Sequence, residues 1–345
     1  MTDRAARLTV LQSFPERSAA TNPYLLQLVD ALRRADPDLR VVGFGWRAAL
    51  LGRVDVFHVH WPERLVRGSS PLRTALRRAA FLLFLLRIAA TGVAVVRTVH
   101  NLDSHERGGS VERMLLRALD RRVTVRVRLN PFTPMPDGAV TRTILHGHYR
   151  DWFAAPTHSP VRGRLLFFGL VRPYKGIEEL IDAFRGVRDA RASLHIVGGA
   201  QDAALTTTLR SLVDQDPRVQ AHWAYLPDDD LRNEIGEAEL VVLPYRSVHN
   251  SGAALLALSL ERPVLMPSAD TTEWLQAEVG ADWLPTYGVQ LTAVELQSAL
   301  ARVRARTTAQ PGLTDRDWGP IAHQHIEAYE TALRRVGRPR ARPGA

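Results

Sequence analysis

The chain has 345 residues, of which 46% are hydrophobic, and it contains no cysteine. This length is too great for one ordinary hydrophobic core and predicts two domains, while the hydrophobic content excludes a disordered chain. The absence of cysteine excludes disulfides, thiol catalysis and cysteine-based metal sites. Lysine and arginine together number 45 against 36 acidic residues. This balance favours anionic partners such as phosphorylated small molecules, nucleic acid or lipid headgroups.

The first half of the chain alternates between strand and helix patterns. Strands are predicted over residues 7–14, 39–44, 54–61, 93–101, 123–129 and 140–149, and helices over 22–35, 71–92 and 110–122. The helix at 71–92 is very apolar, but it contains Arg87 and ends near Gly92. Its apolar part is therefore shorter than the ~20 residues that a membrane span requires. The amino-terminal segment lacks the apolar run of a signal peptide, and we expect a cytoplasmic protein.

The second half repeats this alternation more clearly. Strands are predicted over residues 163–169, 192–199, 218–226, 239–245 and 263–267, with helices beginning near Gly176, Asp202, Asp228 and Ser251. Short apolar runs separated by helices are typical of buried parallel sheets, so the predicted class is α/β. A linker rich in Pro, Ser and Thr separates the halves. The predicted domains are 1–155 and 163–312, followed by a crossover helix at 313–337 and a flexible basic tail at 338–345.

The stretch "FFGLVRPYKGIEEL" connects a predicted strand to a predicted helix. Gly169 ends the strand and Gly176 opens the helix, with Arg172 and Lys175 between them. A phosphate bound there would meet two cations and the positive end of a helix. The alternative is a connector that carries two solvated cations.

A second strand-to-helix loop, "LPYRSVHNSG", leads into an apolar helix. Its backbone N–H groups and polar side chains could form another anion site, or its last residues could simply cap the helix. The candidate residues in this loop are Tyr245, His249, Asn250, Ser251 and Gly252.

Polar residues also end strands in the first half, where "HVHW" contains His60 and "HNLDSHE" follows a strand directly. Buried histidines beside strands are often structural, but the second cluster favours general acid–base chemistry. Metal binding is less favoured, because no spaced metal signature is present. The cluster consists of His100, Asn101, Asp103, His105 and Glu106, and a separate candidate, His146, could be structural or contact a ligand.

The helix within residues 72–90 carries several arginines around an apolar body. This combination suits contact with an anionic membrane surface or with a lipid-linked ligand. The alternative is a core helix with one solvated arginine face.

Together these motifs resemble the group 1 family of nucleotide-sugar glycosyltransferases and bacterial β-mannosyltransferase-like relatives of the GT-B fold. The family loop G-R-x-x-x-x-K-G corresponds to Gly169, Arg172, Lys175 and Gly176, slightly compressed. The resemblance implies two Rossmann-like parallel-sheet domains facing a cleft, with a C-terminal helix that crosses back to the first domain. The chain departs from the family at Val248 and Leu256, where the family usually has glutamates.

The resemblance further implies which residues contact the substrates. Donor contacts are expected at Gly169, Arg172, Lys175, Tyr245, His249, Asn250, Ser251 and Gly252. Contacts to the acceptor or to a sugar are expected at Asn22, His60, Asn101, His105 and His146. For an inverting route Asp103 or Glu106 would be the base, and His100 would orient sugar hydroxyls.

The function expected from the resemblance is transfer of a hexosyl group to a glycan or lipid-linked acceptor in polysaccharide biosynthesis, with mannose from GDP-mannose as the leading choice. No metal or other cofactor is expected, because Arg172 and Lys175 would neutralise the leaving diphosphate. We also expect contact with the inner face of the membrane. An alternative is a nucleotide-sugar 2-epimerase of the same fold. Nucleic acid, suggested by a sequence pI near 10.6, is not an expected partner, because no dedicated reader motif is present.

Overall fold

The computed structural model describes residues 8–15, 21–100, 108–247 and 250–338. The chain divides into two compact units. The first comprises the described residues within Met1–Gly147 and Arg316–Ala345, and the second is formed by those within His148–Asp315. The second unit begins ahead of the Pro-rich linker, because the Tyr149 amide donates to Ser259 Oγ at 2.9 Å and so ties this segment to it.

Unit 1 contains a parallel sheet covered by helices. Its strands are β1 (Thr9–Gln12), β2 (Arg40–Val42), β3 (Val56–Val59), β4 (Ala94–Val99), β5 (Val123–Arg128) and β6 (Thr141–Thr143). Its first helices are α1 (Pro23–Ala35), α2 (Trp46–Leu51), α3 (Glu63–Val66), α4 (Pro71–Thr91) and α5 (Ser110–Asp120). Within the described residues the strand order is β2-β1-β3-β4-β5-β6.

Unit 2 contains a second parallel sheet. Its strands are β7 (Arg164–Phe168), β8 (Ser193–Val197), β9 (Val219–His222), β10 (Leu240–Val242), β11 (Val264–Pro267) and β12 (Thr286–Tyr287). Its helices are α6 (Ile177–Arg185), α7 (Ala203–Val213), α8 (Asp228–Glu237), α9 (Gly252–Ser259), α10 (Asp270–Val279) and α11 (Ala293–Arg304). Over the described part of the unit the order is β12-β11-β10-β7-β8-β9.

The last helix, α12 (Trp318–Arg335), returns the chain to unit 1 and packs on α1, β3, β4 and β5. Its apolar face is interrupted by the hydroxyl of Tyr329, which lies 2.8 Å from His58 Nδ1 on β3. The other half of this contact is α1, whose apolar residues are buried: Leu25, Leu28, Val29 and Leu32. The returning helix is therefore part of the core of unit 1.

The predicted α/β class with two parallel sheets is confirmed, although some elements differ from their predictions. The strand predicted at 218–226 ends at His222, because its neighbour β8 ends at Val197, the partner of His222. The strand predicted from 140 likewise covers only Thr141–Thr143. The elements α2, α3, α10, α11 and β12 were not predicted; α11 nevertheless carries a readable start signal, since Thr292 caps it by accepting from the Glu295 amide.

Helix α4 begins at Pro71, where the Ser70 side chain accepts a hydrogen bond from the Arg73 amide. It ends before Gly92, whose left-handed φ of 65° closes the helix as predicted. Its buried residues are Phe81, Phe84, Leu85 and Ile88. Among the described residues, no helix combines the length and the apolar character needed to cross a membrane.

The turn after β8 packs closely against the loop that follows β7. A Cβ on Gly198 would lie 1.9 Å from the Gly169 carbonyl oxygen, whereas one on Gly199 would meet only Leu170 at 3.8 Å. We expect Gly198→Ala to lower the free energy of unfolding by about 1–3 kcal/mol, because the two loops must separate. Gly199→Ala is the matched control and should change it by less than ~0.5 kcal/mol. Urea unfolding followed by circular dichroism measures both, and equal stability of the two variants would contradict the packing described.

Candidate active site

The loops that follow β7 and β10 lie side by side where the order of the second sheet reverses. From β7 the chain proceeds to β8 on one side, and from β10 it proceeds to β11 on the other. Ligands of open α/β sheets bind at the carboxyl ends of strands at such a switch point. Gly169 and Gly176, which bound the first loop, have φ values of 117° and 66°, and side chains rarely tolerate this conformation. The predicted anion loop therefore occupies the switch point.

Gly176 brings these two loops into contact. A Cβ at this position would lie 2.2 Å from the carbonyl oxygen of Pro244, in the loop after β10. Arg246 joins the loops as well, because its backbone amide donates to the Tyr174 carbonyl at 2.9 Å. Its guanidinium pairs with Glu179 at 2.9 Å. The two loops consequently form one continuous surface.

Lys175 lies on this surface against two aromatic rings. Its Nζ is 3.6 Å from the centre of the Tyr245 ring and 5.5 Å from that of Tyr174. Burial lowers the pKa of Lys175 to about 7, so its charge changes near neutral pH and a bound anion would favour the charged form. The neighbouring cation, Arg172, is half-buried and donates to Gln201 Oε1 at 3.0 Å.

The second predicted anion site begins helix α9. Ser251 caps the helix, accepting from the Ala254 amide at 3.1 Å, and Gly252 is the first helical residue. Asn250 is half-buried beside the cap. His249 lies outside the described residues. Capping leaves the first backbone N–H groups of α9 at the same sheet edge as Lys175, which is compatible with binding a phosphate.

Unit 1 has its own switch point, between β1 and β3. A cavity of about 150 Å³ lies beside it, lined by Ser13, Phe14, Pro15, Thr21, Asn22, Leu25, Trp61 and Arg64. Asn22 also caps α1, because its Oδ1 accepts from the Tyr24 amide at 2.9 Å. The Arg64 guanidinium lies 5.4 Å from the centre of the Trp61 ring. The cavity thus offers an indole face, a cation and an amide.

Two histidines support the Trp61 wall of this cavity. The Trp61 ring stacks on His100, with centres 4.3 Å apart and planes 23° apart. His100 Nε2 lies 3.0 Å from His60 Nδ1, and the His60 amide donates to Ser13 Oγ at 3.0 Å. His60 and His100 are both buried. Of the predicted residues Asn22, His60 and His100, only Asn22 lines the cavity directly.

Buried histidines extend from this wall into unit 1. They are His58, His60, His100, His146 and His325. Burial is the main cause that lowers the pKa of each: well below its usual value for His58 and His60, to about 3 for His100, and to about 4 for His146 and His325. All five are therefore neutral near pH 7. His100 is uncharged and does not supply positive charge to the cavity.

Four predicted residues of the first unit, Asn101, Asp103, His105 and Glu106, lie outside the described residues. Within the described ranges, no group of three or more His, Asp or Glu side chains is arranged to hold a metal ion. Metal-independent transfer stays a prediction.

Asn22 is the one lining residue that was predicted as a site residue; the others, among them Ser13, Trp61 and Arg64, were not. A positional signal was present, since Ser13 follows β1 directly and Trp61 follows β3 by two residues. This signal does not reveal the strand order, which makes β1 and β3 neighbours at the switch point.

Comparison with a characterised protein decides the family. The chain is 45% identical over 335 residues to a GDP-mannose:glycolipid 4-beta-D-mannosyltransferase of Xanthomonas campestris pv. campestris, covering 96% of this chain and 95% of that protein. A family model described as "Glycosyl transferases group 1" matches residues 162–298, the stretch that contains the loops after β7 and β10. The chain belongs to the group 1 glycosyltransferases.

Solved structures show the same fold for this glycosyltransferase. The catalytic domain of starch synthase IV from Arabidopsis thaliana aligns with a TM-score of 0.64 at 10% identity, over 96% of this chain and 100% of that one. AviGT4, a glycosyltransferase of avilamycin A biosynthesis, aligns with a TM-score of 0.58 at 15% identity, over 95% and 98%. Anabaena HepE in complex with UDP and glucose aligns with a TM-score of 0.59 at 13% identity, over 96% and 98%. The predicted family and GT-B fold are confirmed, and the protein is a hexosyltransferase.

Proposed function

We propose that this glycosyltransferase transfers mannose from GDP-mannose to a hydroxyl of a glycolipid. The observation that carries the donor half is the position of Arg172 and Lys175 at the switch point of unit 2. The identities of the sugar and of the acceptor class are supported by the printed activity of the 45% identical relative, which the chain matches over 95% of its length. That activity is a transfer, so it favours transfer over 2-epimerisation.

The surface formed by the loops after β7 and β10, called the donor surface from here on, would act on the leaving group. When the bond from the sugar to the diphosphate breaks, negative charge develops on the diphosphate oxygens. Arg172 and the charged form of Lys175 would neutralise it. The first N–H groups of α9, around Ser251 and Gly252, would add the partial positive charge of a helix start. These groups supply the stabilisation for which other enzymes use a divalent metal.

Unit 1 would bind the acceptor. The cavity beside β1 and β3 combines the Trp61 indole with the polar groups of Asn22 and Arg64, a composition typical of small-ligand sites. His60 and His146 are buried at 2% and 8% exposure, so we assign them to support of this site. Asn101 and His105 are proposed as further sugar contacts.

A β-mannosyl product formed from an α-linked donor requires inversion at the anomeric carbon. One direct displacement accomplishes this if a general base removes the proton of the attacking hydroxyl. We propose Asp103 or Glu106 as this base. His100, neutral at pH 7, would orient hydroxyl groups by hydrogen bonds.

We also propose that helix α4 contacts an anionic membrane surface, where a glycolipid acceptor would reside. Leu72, Leu76, Leu83 and Leu86 are 70%, 62%, 56% and 57% exposed. Their spacing places them on one face of the helix. Exposed arginines lie on the same helix and on its neighbour α5, which packs against it, namely Arg73 and Arg77 on α4 and Arg113 and Arg117 on α5. Apolar side chains flanked by cations are typical of helices that lie on anionic bilayers.

The donor assignment predicts a loss of nucleotide binding. In Arg172→Ala/Lys175→Ala, GDP affinity should fall at least ~100-fold, because each charge-assisted contact contributes about 1.5–3 kcal/mol. Arg188→Ala is the matched control, since Arg188 is an exposed arginine in the loop between α6 and β8, at the opposite edge of the sheet. Calorimetric titration with GDP measures all three proteins. Equal affinity of the double variant and the wild type would remove the diphosphate assignment.

The base assignment predicts that one of Asp103→Asn and Glu106→Gln loses about 10²–10⁴-fold in turnover, because the amide cannot accept the proton. GDP affinity should be unchanged in that variant, since the donor surface belongs to unit 2. Product formation from GDP-mannose and the glycolipid measures turnover. If both variants retain the wild-type rate, neither carboxylate is the base.

The membrane assignment predicts that the wild type sediments with vesicles containing phosphatidylglycerol, and less so with pure phosphatidylcholine or at high salt. Leu76→Ser/Leu83→Ser should reduce binding. The control is Val289→Ser, which removes a fully exposed apolar residue of unit 2. Binding that is insensitive to the leucine substitutions would exclude α4 as the contact.

A further inference from the structure

Lys175 is the only lysine of this chain. Lysine and arginine together number 45, and every member of that set except Lys175 is arginine. The other cations of these two loops are also arginines, Arg172 in the same loop and Arg246 in the facing loop. Position 175 therefore keeps a property that arginine does not have.

Contact with an aromatic ring is not that property. Elsewhere in the described chain, the cations that lie over rings are arginines: Arg64 over Trp61, Arg218 over Phe184 and Arg306 over Trp283. The guanidinium is planar and spreads its donors in a fork, whereas the ammonium is compact and can lose its proton. The distinguishing property must be one of these two.

The ring beneath the Lys175 amine is held in place. Its Nζ lies 3.6 Å above the ring of Tyr245, and Tyr245 is 5% exposed. The Tyr245 backbone is fixed, because its amide donates to the Leu243 carbonyl at 2.9 Å and the preceding Pro244 abuts Gly176. The ring therefore cannot withdraw to admit a larger group without separating the two loops.

The charged groups around this amine are already engaged. Arg246 is paired with Glu179 at 2.9 Å, and Arg172 donates to Gln201. Burial raises the pKa of Tyr174 and of Tyr245, so both phenols are neutral. Among the described residues, no carboxylate pairs with Lys175. A bound anion would be the first negative charge that the ammonium meets.

We propose that Tyr245 is a positioning residue, whose ring holds the Lys175 amine in place to bind the donor diphosphate. This position of the amine on the ring, called the seat below, accepts lysine but not arginine. The inference rests on the proposed function, because it takes the ligand to be a nucleoside diphosphate. It adds a consequence for binding. Above pH 7 the amine must take up a proton to pair with the diphosphate, so donor affinity falls as the pH rises.

A single lysine makes the seat directly observable. Biosynthetic labelling with ¹³Cε-lysine gives one signal from the full-length protein, that of Lys175. The ring of Tyr245 should shift the attached protons upfield in the wild type and in Tyr245→Phe, which keeps the ring. Tyr245→Leu should move them to the position of a solvated lysine. An unshifted signal in the wild type would overturn the seat, whether or not any variant folds.

GDP titration tests what the seat does. Tyr245→Leu should weaken GDP binding by about three- to thirtyfold, the range of one cation–ring contact, and Tyr245→Phe should leave it unchanged. Lys175→Arg should bind as weakly as Lys175→Ala. Between pH 7 and 9 the affinity of the wild type should fall, whereas that of Lys175→Arg should be constant. Circular dichroism confirms that each variant is folded.

The outcomes distinguish failure of the Tyr245 seat from failure of the donor assignment. Wild-type affinity in Lys175→Arg, or in a folded Tyr245→Leu, would overturn the seat and leave the donor assignment intact. If the wild type itself does not bind GDP, the proposed function fails, while the ¹³C signal still reports whether Tyr245 seats the amine.

Discussion

The proposed donor surface depends on one close approach, that of Gly176 to the carbonyl oxygen of Pro244. No side chain fits between them, because a Cβ would lie 2.2 Å from that oxygen. The contact fixes the loop after β7 against the loop after β10, and so determines what lies beside Lys175. Because a parallel sheet ends all its strands at one edge, a single backbone contact there can align two anion-binding segments that are distant in the sequence.

Unit 1 supports its cavity by a different means, a layer of neutral polar rings in the core. Tyr329 of α12 contacts His58 on β3, while His60, just after this strand, contacts His100, on which Trp61 stacks. Burial of an imidazole is least costly when it is uncharged and hydrogen-bonded, as His58 is through Tyr329 at Nδ1 and Thr98 at Nε2. The result is a rigid wall for the cavity, with direction-specific hydrogen bonds in place of purely apolar packing.

The sequence predicted the fold class and the strand-to-helix loop between Gly169 and Gly176, because apolar runs of strand length and paired glycines are local signals. It did not place Trp61 and Arg64 among the site residues, because their position beside the cavity comes from the adjacency of β1 and β3, which is a property of sheet order. It also placed Tyr245 among the donor residues without its relation to Lys175, since a ring-to-amine distance of 3.6 Å is set by the packing of two loops. Features set by neighbouring residues could be predicted from the sequence, whereas contacts between loops that are distant in the sequence could not.

Helix α4 joins two mechanical roles in one element. Its buried residues, from Phe81 to Ile88, anchor its second half in the core. The first half is held by polar contacts instead, such as the ion pair of Arg78 with the buried Glu112 at 3.6 Å. The exposed leucines of the helix belong to neither set of contacts. Substitutions at these leucines can therefore change the hydrophobicity of the surface without changing what holds the helix in place.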